Sequence, residues 1–116
     1  MKETVLGSHL RKVPSIAVGC MRLSEKSKDE MNHFIHSALE QGAYFFDHAD
    51  IYKGGKAEAV FSSIWDAKLV DRESIFIQSK CGIRLMNDLY EGSAPHYDFS
   101  YEHIMHSVDG ILSVSG

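Results

Sequence analysis

Apolar and polar positions along this chain change period several times, and each change marks an element. Ser15-Ile16-Ala17-Val18-Gly19 is a short apolar run closed by glycine, the pattern of a buried strand. Ser27-Lys28-Asp29-Glu30 is a capping box: the Ser27 hydroxyl can accept the third backbone N–H, and Glu30 can reach back. The helix it opens carries Met31, Phe34, Ile35, Ala38 and Leu39 as one apolar stripe, and Gly42 stands where a left-handed stop is expected. Ala43 to Phe46 reads as a second strand, and a helix over roughly 56–67 follows Gly54-Gly55, with Val60, Phe61, Ile64 and Trp65 on one face. Ile75 to Ser79 reads as a third strand, ending at Lys80-Cys81-Gly82. The stretch from Arg84 to Phe99 is polar and irregular, long enough to suggest a binding loop. Ser100 then caps a third helix, with Ile104, Val108, Ile111 and Leu112 on its face. Ahead of all this, Gly7-Ser8 separates Val5-Leu6 from Leu10, a short hairpin signal.

Strand and helix alternate three times, which predicts an α/β fold: a parallel sheet with helices packed outside it. At 116 residues the chain makes one domain, 1–116, with a real core. Ligand sites in parallel sheets lie at the carboxyl ends of the strands. Two polar clusters fall there, Asp47-His48-Ala49-Asp50-Ile51-Tyr52 after the second strand and Lys80 after the third.

Composition narrows the function classes. The net charge of -4 is mixed along the chain, without the basic footprint of a nucleic-acid binder. No apolar run reaches the length of a membrane span, and no apolar stretch follows the N-terminal charges as in a signal peptide. Cys20 and Cys81 make no disulfide framework, so a reducing cytoplasm is the expected compartment.

Asp47, Tyr52 and Lys80 come from the ends of consecutive strands and can converge. A phenol is a weak acid at neutral pH, and an adjacent ammonium favours its ionised form. A carboxylate paired with that lysine holds it in place and charged. Such a tyrosine can give a proton to a carbonyl oxygen while hydride arrives at carbon. Competing readings are blander. Asp47 and Asp50 suit a turn, and Gly54-Gly55 is a turn rather than a phosphate loop. His48 with Asp50, and the pairs His33/His36 and His103/His106, offer no four-ligand set, so no metal site is expected. Cys81 follows a lysine but is expected to be a buried, inert thiol, and Phe34, Phe61 and Trp65 are expected in the core.

Phe46-Asp47-His48-Ala49-Asp50-Ile51-Tyr52, with Gly54-Gly55-Lys56-Ala57-Glu58 after it, resembles the second-strand motif of the aldo-keto reductase superfamily. Ile77-Gln78-Ser79-Lys80-Cys81-Gly82 resembles its third-strand motif. The likeness runs from Ile16 to Val108. It implies a (β/α)8 barrel, NADPH as hydride donor, and reduction of a small-molecule aldehyde or ketone. Tyr52 would be the general acid and Lys80 would lower its pKa. Asp47 would pair with Lys80 and face the nicotinamide end of the cofactor.

Such a barrel takes about 250 residues. The resemblance accounts for three of eight strand–helix units, an incomplete barrel. The family's histidine at the end of the fourth strand and its phosphate-binding loops have no counterpart. The expectation is therefore a truncated reductase by lineage: NADPH binding weak or absent, and no catalysis by the chain alone. Unpaired sheet edges, and an inner face of Ile16, Val18, Phe46, Ile75 and Ile77, or their neighbours, with nothing packed on it, predict a homo-oligomer. The alternatives are a non-catalytic, self-associating remnant, or one half of a split barrel completed by another chain.

Overall fold

The computed structural model describes residues 1–8, 11–66 and 70–115, without the side chains of Trp65 and Asp66. Leu10 and the Trp65 side chain, both assigned roles above, lie outside the described residues. The elements in order are β1 (Glu3–Leu6), β2 (Arg11–Pro14), β3 (Val18–Gly19), α1 (Lys28–Glu40), β4 (Phe45–Asp47), α2 (Ala57–Asp66), β5 (Phe76–Gln78), β6 (Ile83–Arg84), β7 (His96–Tyr97) and α3 (Tyr101–Ser115).

Strands β3, β4 and β5 form a parallel sheet in that order, with Val18 opposite Phe46 and Phe46 opposite Ile77. The ladder continues past the strand ends: Cys20 N–H donates to Asp47 O (2.9 Å), His48 N–H to Gln78 O (2.8 Å) and Asp50 N–H to Lys80 O (3.0 Å). These bonds fix the carboxyl ends, where the functional side chains stand. The strands are shorter than expected. Ile16 is 60% exposed and precedes the sheet.

Helix α1 begins as its sequence dictates. Glu30 N–H donates to Ser27 Oγ (3.2 Å) and Ser27 N–H to Glu30 Oε2 (2.8 Å). Gly42 ends it at φ +79°. Met31 and Ile35 are buried, whereas Phe34, on the flank of the stripe, is 40% exposed rather than in the core. Met31, Ile35, Phe61 and Ile64 of the helices pack on Phe46 and Ile75, with Val18 and Ile77 against the cluster.

That cluster decides between the two faces left open for the inner side: Phe46, Ile75, Ile77 and Val18 face the helices and are covered, so the inner face falls to their neighbours. The opposite face carries Phe45 and Phe76, edge to face at 4.8 Å. There the antiparallel hairpin β1–β2 closes the amino ends of the strands. Arg11 sits over the Phe76 ring (4.8 Å), Tyr44 Oη donates to Glu3 Oε1 (2.8 Å), and Val13 and Pro14 are buried.

Two further expectations change. The segment from Arg84 to Phe99, read as irregular, includes β7, which pairs antiparallel with β6, Ile83 opposite Tyr97. In α3 the anticipated apolar face is divided: Ile104 and Ile111 are half-buried, whereas Leu112 is 60% exposed and Val108 is also exposed. The buried stripe is instead His103 and Ser107, on the helix that packs against α2, whose own buried polar residues are Glu58 and Ser62. The Glu58 carboxylate accepts a short hydrogen bond from Ser79 Oγ, and within α3 Ser107 Oγ lies 3.5 Å from His103 Nε2. No helix among the described residues is long and apolar enough to cross a membrane.

Candidate active site

Asp47 is the last residue of β4, and strand alternation turns it away from the helices, on the same side as Phe45. Gln78 lies opposite it in β5, and its Nε2 donates to Asp47 Oδ1 at 2.8 Å. Lys80 follows two residues later, on the same side as Gln78. Its Nζ donates to Asp47 Oδ1 (2.8 Å) and Oδ2 (2.9 Å) and to the His48 carbonyl (2.6 Å). An ammonium has three protons, so these acceptors can engage all of them and lock the side chain.

Tyr52 enters from the turn after β4. The residues behind it take left-handed backbone, Lys53 at φ 50° and Gly54 at φ +62°, so the chain reverses sharply there. Lys53 Nζ is tied to the Ser24 carbonyl at 3.0 Å, which anchors the turn. The Tyr52 ring centroid lies 5.4 Å from Lys80 Nζ. Burial pulls the Lys80 pKa down. The hydrogen bond and charge of Asp47, with the Tyr52 phenol, outweigh it, and the pKa stands above its ordinary value. The lysine is thus a permanent cation at neutral pH, and the phenol shares its field. The structure brings together all three residues singled out in the sequence.

Other nearby groups take different roles. His48 alternates to the helix side, buried with its ring 4.5 Å from that of Phe61. Burial pushes its imidazole down to about 4. Asp50 borders both this site and the α3 side; burial raises its carboxyl, and Ser107 and the nearby His103 offset this only in part. His48 and Asp50 therefore diverge, and the described residues hold no cluster of three or more groups able to bind a metal. Burial, with the charge of Asp47, pushes the Cys20 thiol up to about 12. Cys81 is half-buried rather than buried, and it lines the cleft beside Lys80.

That cleft has a volume of about 370 Å³ and is lined by Tyr52, Lys80, Tyr97 and Phe99, with Ile51 and Ile83 among its apolar residues. Sequence reasoning missed Gln78 and the aromatic pair. Gln78 had a signal, since it precedes Lys80 by two residues on a strand and so shares its face. Tyr97 and Phe99 sat in a stretch with no apolar period to mark it as ordered.

The sequence model of the aldo/keto reductase family matches residues 15–114. The chain is 35% identical over 97 residues to the uncharacterized oxidoreductase YcsN of Bacillus subtilis, covering 81% of this chain and 32% of that protein. It is 32% identical over 105 residues to the 6-dehydroglucose reductase of Agrobacterium fabrum, covering 87% of this chain and 35% of that one. The chain thus spans about a third of the length of the curated relatives it matches. Among solved structures it resembles PA4992 of Pseudomonas aeruginosa (TM-score 0.80, 22% identity, 97% of this chain and 42% of that one). It also resembles the aldo-keto reductase AKR11C1 of Bacillus halodurans in its holo form (TM-score 0.78, 24% identity, 99% and 36%). With its sequence matched to the family from residue 15 to 114 and its backbone superposing on these reductases, the chain belongs to the aldo/keto reductase family.

Proposed function

We propose that Asp47, Tyr52 and Lys80 form the proton-delivering part of a carbonyl-reducing site, carried on the first three strand–helix units of a (β/α)8 barrel. The observation behind this reading is the Lys80 ammonium, clamped by both oxygens of Asp47 with the Tyr52 phenol on the same cleft. The clamp does not compete for the phenol's proton, because Asp47 is already occupied by Lys80 and Gln78.

NADPH is the cofactor that fits best. At the carboxyl ends of β4 and β5 the Asp47–Lys80 pair is partly open to solvent, which suits contact with a polar carboxamide. The fit covers the nicotinamide end only. When bound, NADPH supplies a hydride to the carbonyl carbon. Tyr52 Oη hydrogen-bonds the carbonyl oxygen and transfers its proton there. Lys80 remains protonated and lowers the energy of the phenolate left behind. Asp47 and the His48 carbonyl keep the ammonium in place, and Gln78 keeps Asp47 in place.

The chain spans about a third of the length of the curated relatives it matches, so on its own it is expected to bind NADPH weakly and not to turn over. A second reading, a self-associating chain or one half of a split barrel, draws on the sheet. Among the described residues β3 and β5 each have one strand partner, and Val108 and Leu112 of α3 face outward. NADPH fluorescence titration of the isolated chain, followed by turnover of a nitrobenzaldehyde, separates the possibilities. The expected result is no saturable binding at micromolar concentration and no turnover. Micromolar binding with turnover that disappears in Tyr52→Phe would mean that the isolated chain is a working reductase.

A further inference from the structure

The cleft beside Tyr52 has a second wall that proton delivery leaves unused. Tyr97, Asp98 and Phe99 are consecutive on an extended stretch, so the two rings face one way and the carboxylate the other. The carboxylate is fixed. Arg84 Nε donates to its Oδ2 at 2.9 Å and Ser100 N–H to its Oδ1 at 3.0 Å, while Asp98 N–H donates to Gly82 O at 2.9 Å. Held from behind, Tyr97 and Phe99 stack with centroids 5.8 Å apart and planes 24° from parallel.

Phe99 also lies directly on the backbone of Gly82. A Cβ at that position would stand 2.6 Å from Phe99 Cε1, and the local φ is +115°. Only glycine leaves room for the ring and accepts that backbone. Gly82 is two residues past Lys80, and the ring and the ammonium line the same cleft. The two rings are nonetheless 73% and 69% exposed, on the open side of the cleft.

We propose that the Tyr97–Phe99 pair is the substrate wall of this cleft and selects planar aryl aldehydes and ketones over saturated ones. The proposal rests on Tyr52 being the proton donor and adds the substrate class. A flat aryl group lies on a ring with full face contact, whereas a puckered ring of the same carbon count touches at a few atoms. Tyr52 and Lys80 line the same cleft, so a substrate stacked on this wall shares the cleft with the proton donor. A cleft of about 370 Å³ is large enough for a one-ring ketone.

Backbone NMR of the isotopically labelled full chain tests this with three probes of similar size: acetophenone, cyclohexyl methyl ketone and ethylbenzene. Acetophenone should shift the Lys80, Gly82, Tyr97 and Phe99 signals and bind about threefold to tenfold more tightly than cyclohexyl methyl ketone. Phe99→Leu should abolish that preference, and Tyr97→Leu should reduce it. Both sites are exposed, so folding should survive either change. Equal affinity for the two ketones would overturn the proposal, as would shifts confined to other surfaces. Signals that move with protein concentration but not with ligand would give the wall to a second copy of the chain and overturn it too. If ethylbenzene binds as well as acetophenone and Phe99→Leu weakens both, the wall stands and the reading of Tyr52 as proton donor fails.

Discussion

His48 shows how much one position along a strand decides. Asp47 precedes it and is partly exposed in the cleft. His48 faces the core, edge to face with Phe61, and neither ring nitrogen has a hydrogen-bond partner among the described residues. Burial holds its pKa at about 4, and the charge of Asp47 offsets this only in part. A histidine depressed in the folded state is protonated first in the unfolded chain. Stability is therefore lost as pH falls from about 6.5 toward 4. Moving from pH 7.5 to 5 should cost about 2 kcal/mol through this residue. His48→Leu should remove most of that loss, as read from urea midpoints at the two pH values; an unchanged difference would mean that the imidazole finds a partner. Lys80 works in the opposite direction. Its raised pKa contributes stability that is complete below its unfolded value and is lost as pH rises through the folded one, well above neutrality.

Helix α1 and the sheet differ in how openly their sequences declare them. The capping box is a local device, with donor and acceptor three residues apart, so it is legible without knowing the fold. Ser27→Ala should destabilise the chain by about 1 kcal/mol in urea unfolding at neutral pH. A change within error would mean that the first turn frays already. The Glu30 carboxyl is held low by the Ser27 backbone and side chain, so this part of the cap's stability is present at neutral pH and lost in acid. The face of β4 was harder to read. Phe45 and Phe46 are both buried, because helices cover one side and the hairpin β1–β2 meets the other, and a strand buried on both sides has no alternation to reveal its orientation. Only Asp47 marks the cleft side. In α3 hydrophobicity misled in part: of Ile104, Val108, Ile111 and Leu112, Val108 and Leu112 face outward, while the helix buries His103 and Ser107. Buried polar residues are favourable only when partnered, and periodicity says nothing about partners. The site residues were legible because their chemistry is dense and local, Asp47 to Tyr52 spanning one turn. The aromatic wall was not, because a two-residue strand leaves no period.

The whole molecule is a slab of 45 × 38 × 20 Å with a radius of gyration of 15.4 Å, against about 13 Å for a compact domain of this length. Its core lies between the sheet and helices α1 and α2, while among the described residues the outer edges of β3 and β5 have no strand partner and Val108 and Leu112 of α3 are exposed. Sedimentation at micromolar concentration should therefore find dimers or larger species, and Leu112→Lys should shift them toward monomer if α3 takes part. A monodisperse compact monomer would remove the case for association. The role of Tyr52 is read most cleanly in a chimera that has the full length of a relative: residues 15–114 in place of the matched third of YcsN, assayed with NADPH and 4-nitrobenzaldehyde. The most direct measurement is the ratio of turnover between this chimera and its Tyr52→Phe variant, both checked for equal folding by circular dichroism. The expected result is turnover in the parent and a loss of about 100-fold or more in the variant. Turnover preserved in Tyr52→Phe would contradict the role of Tyr52 as the acid.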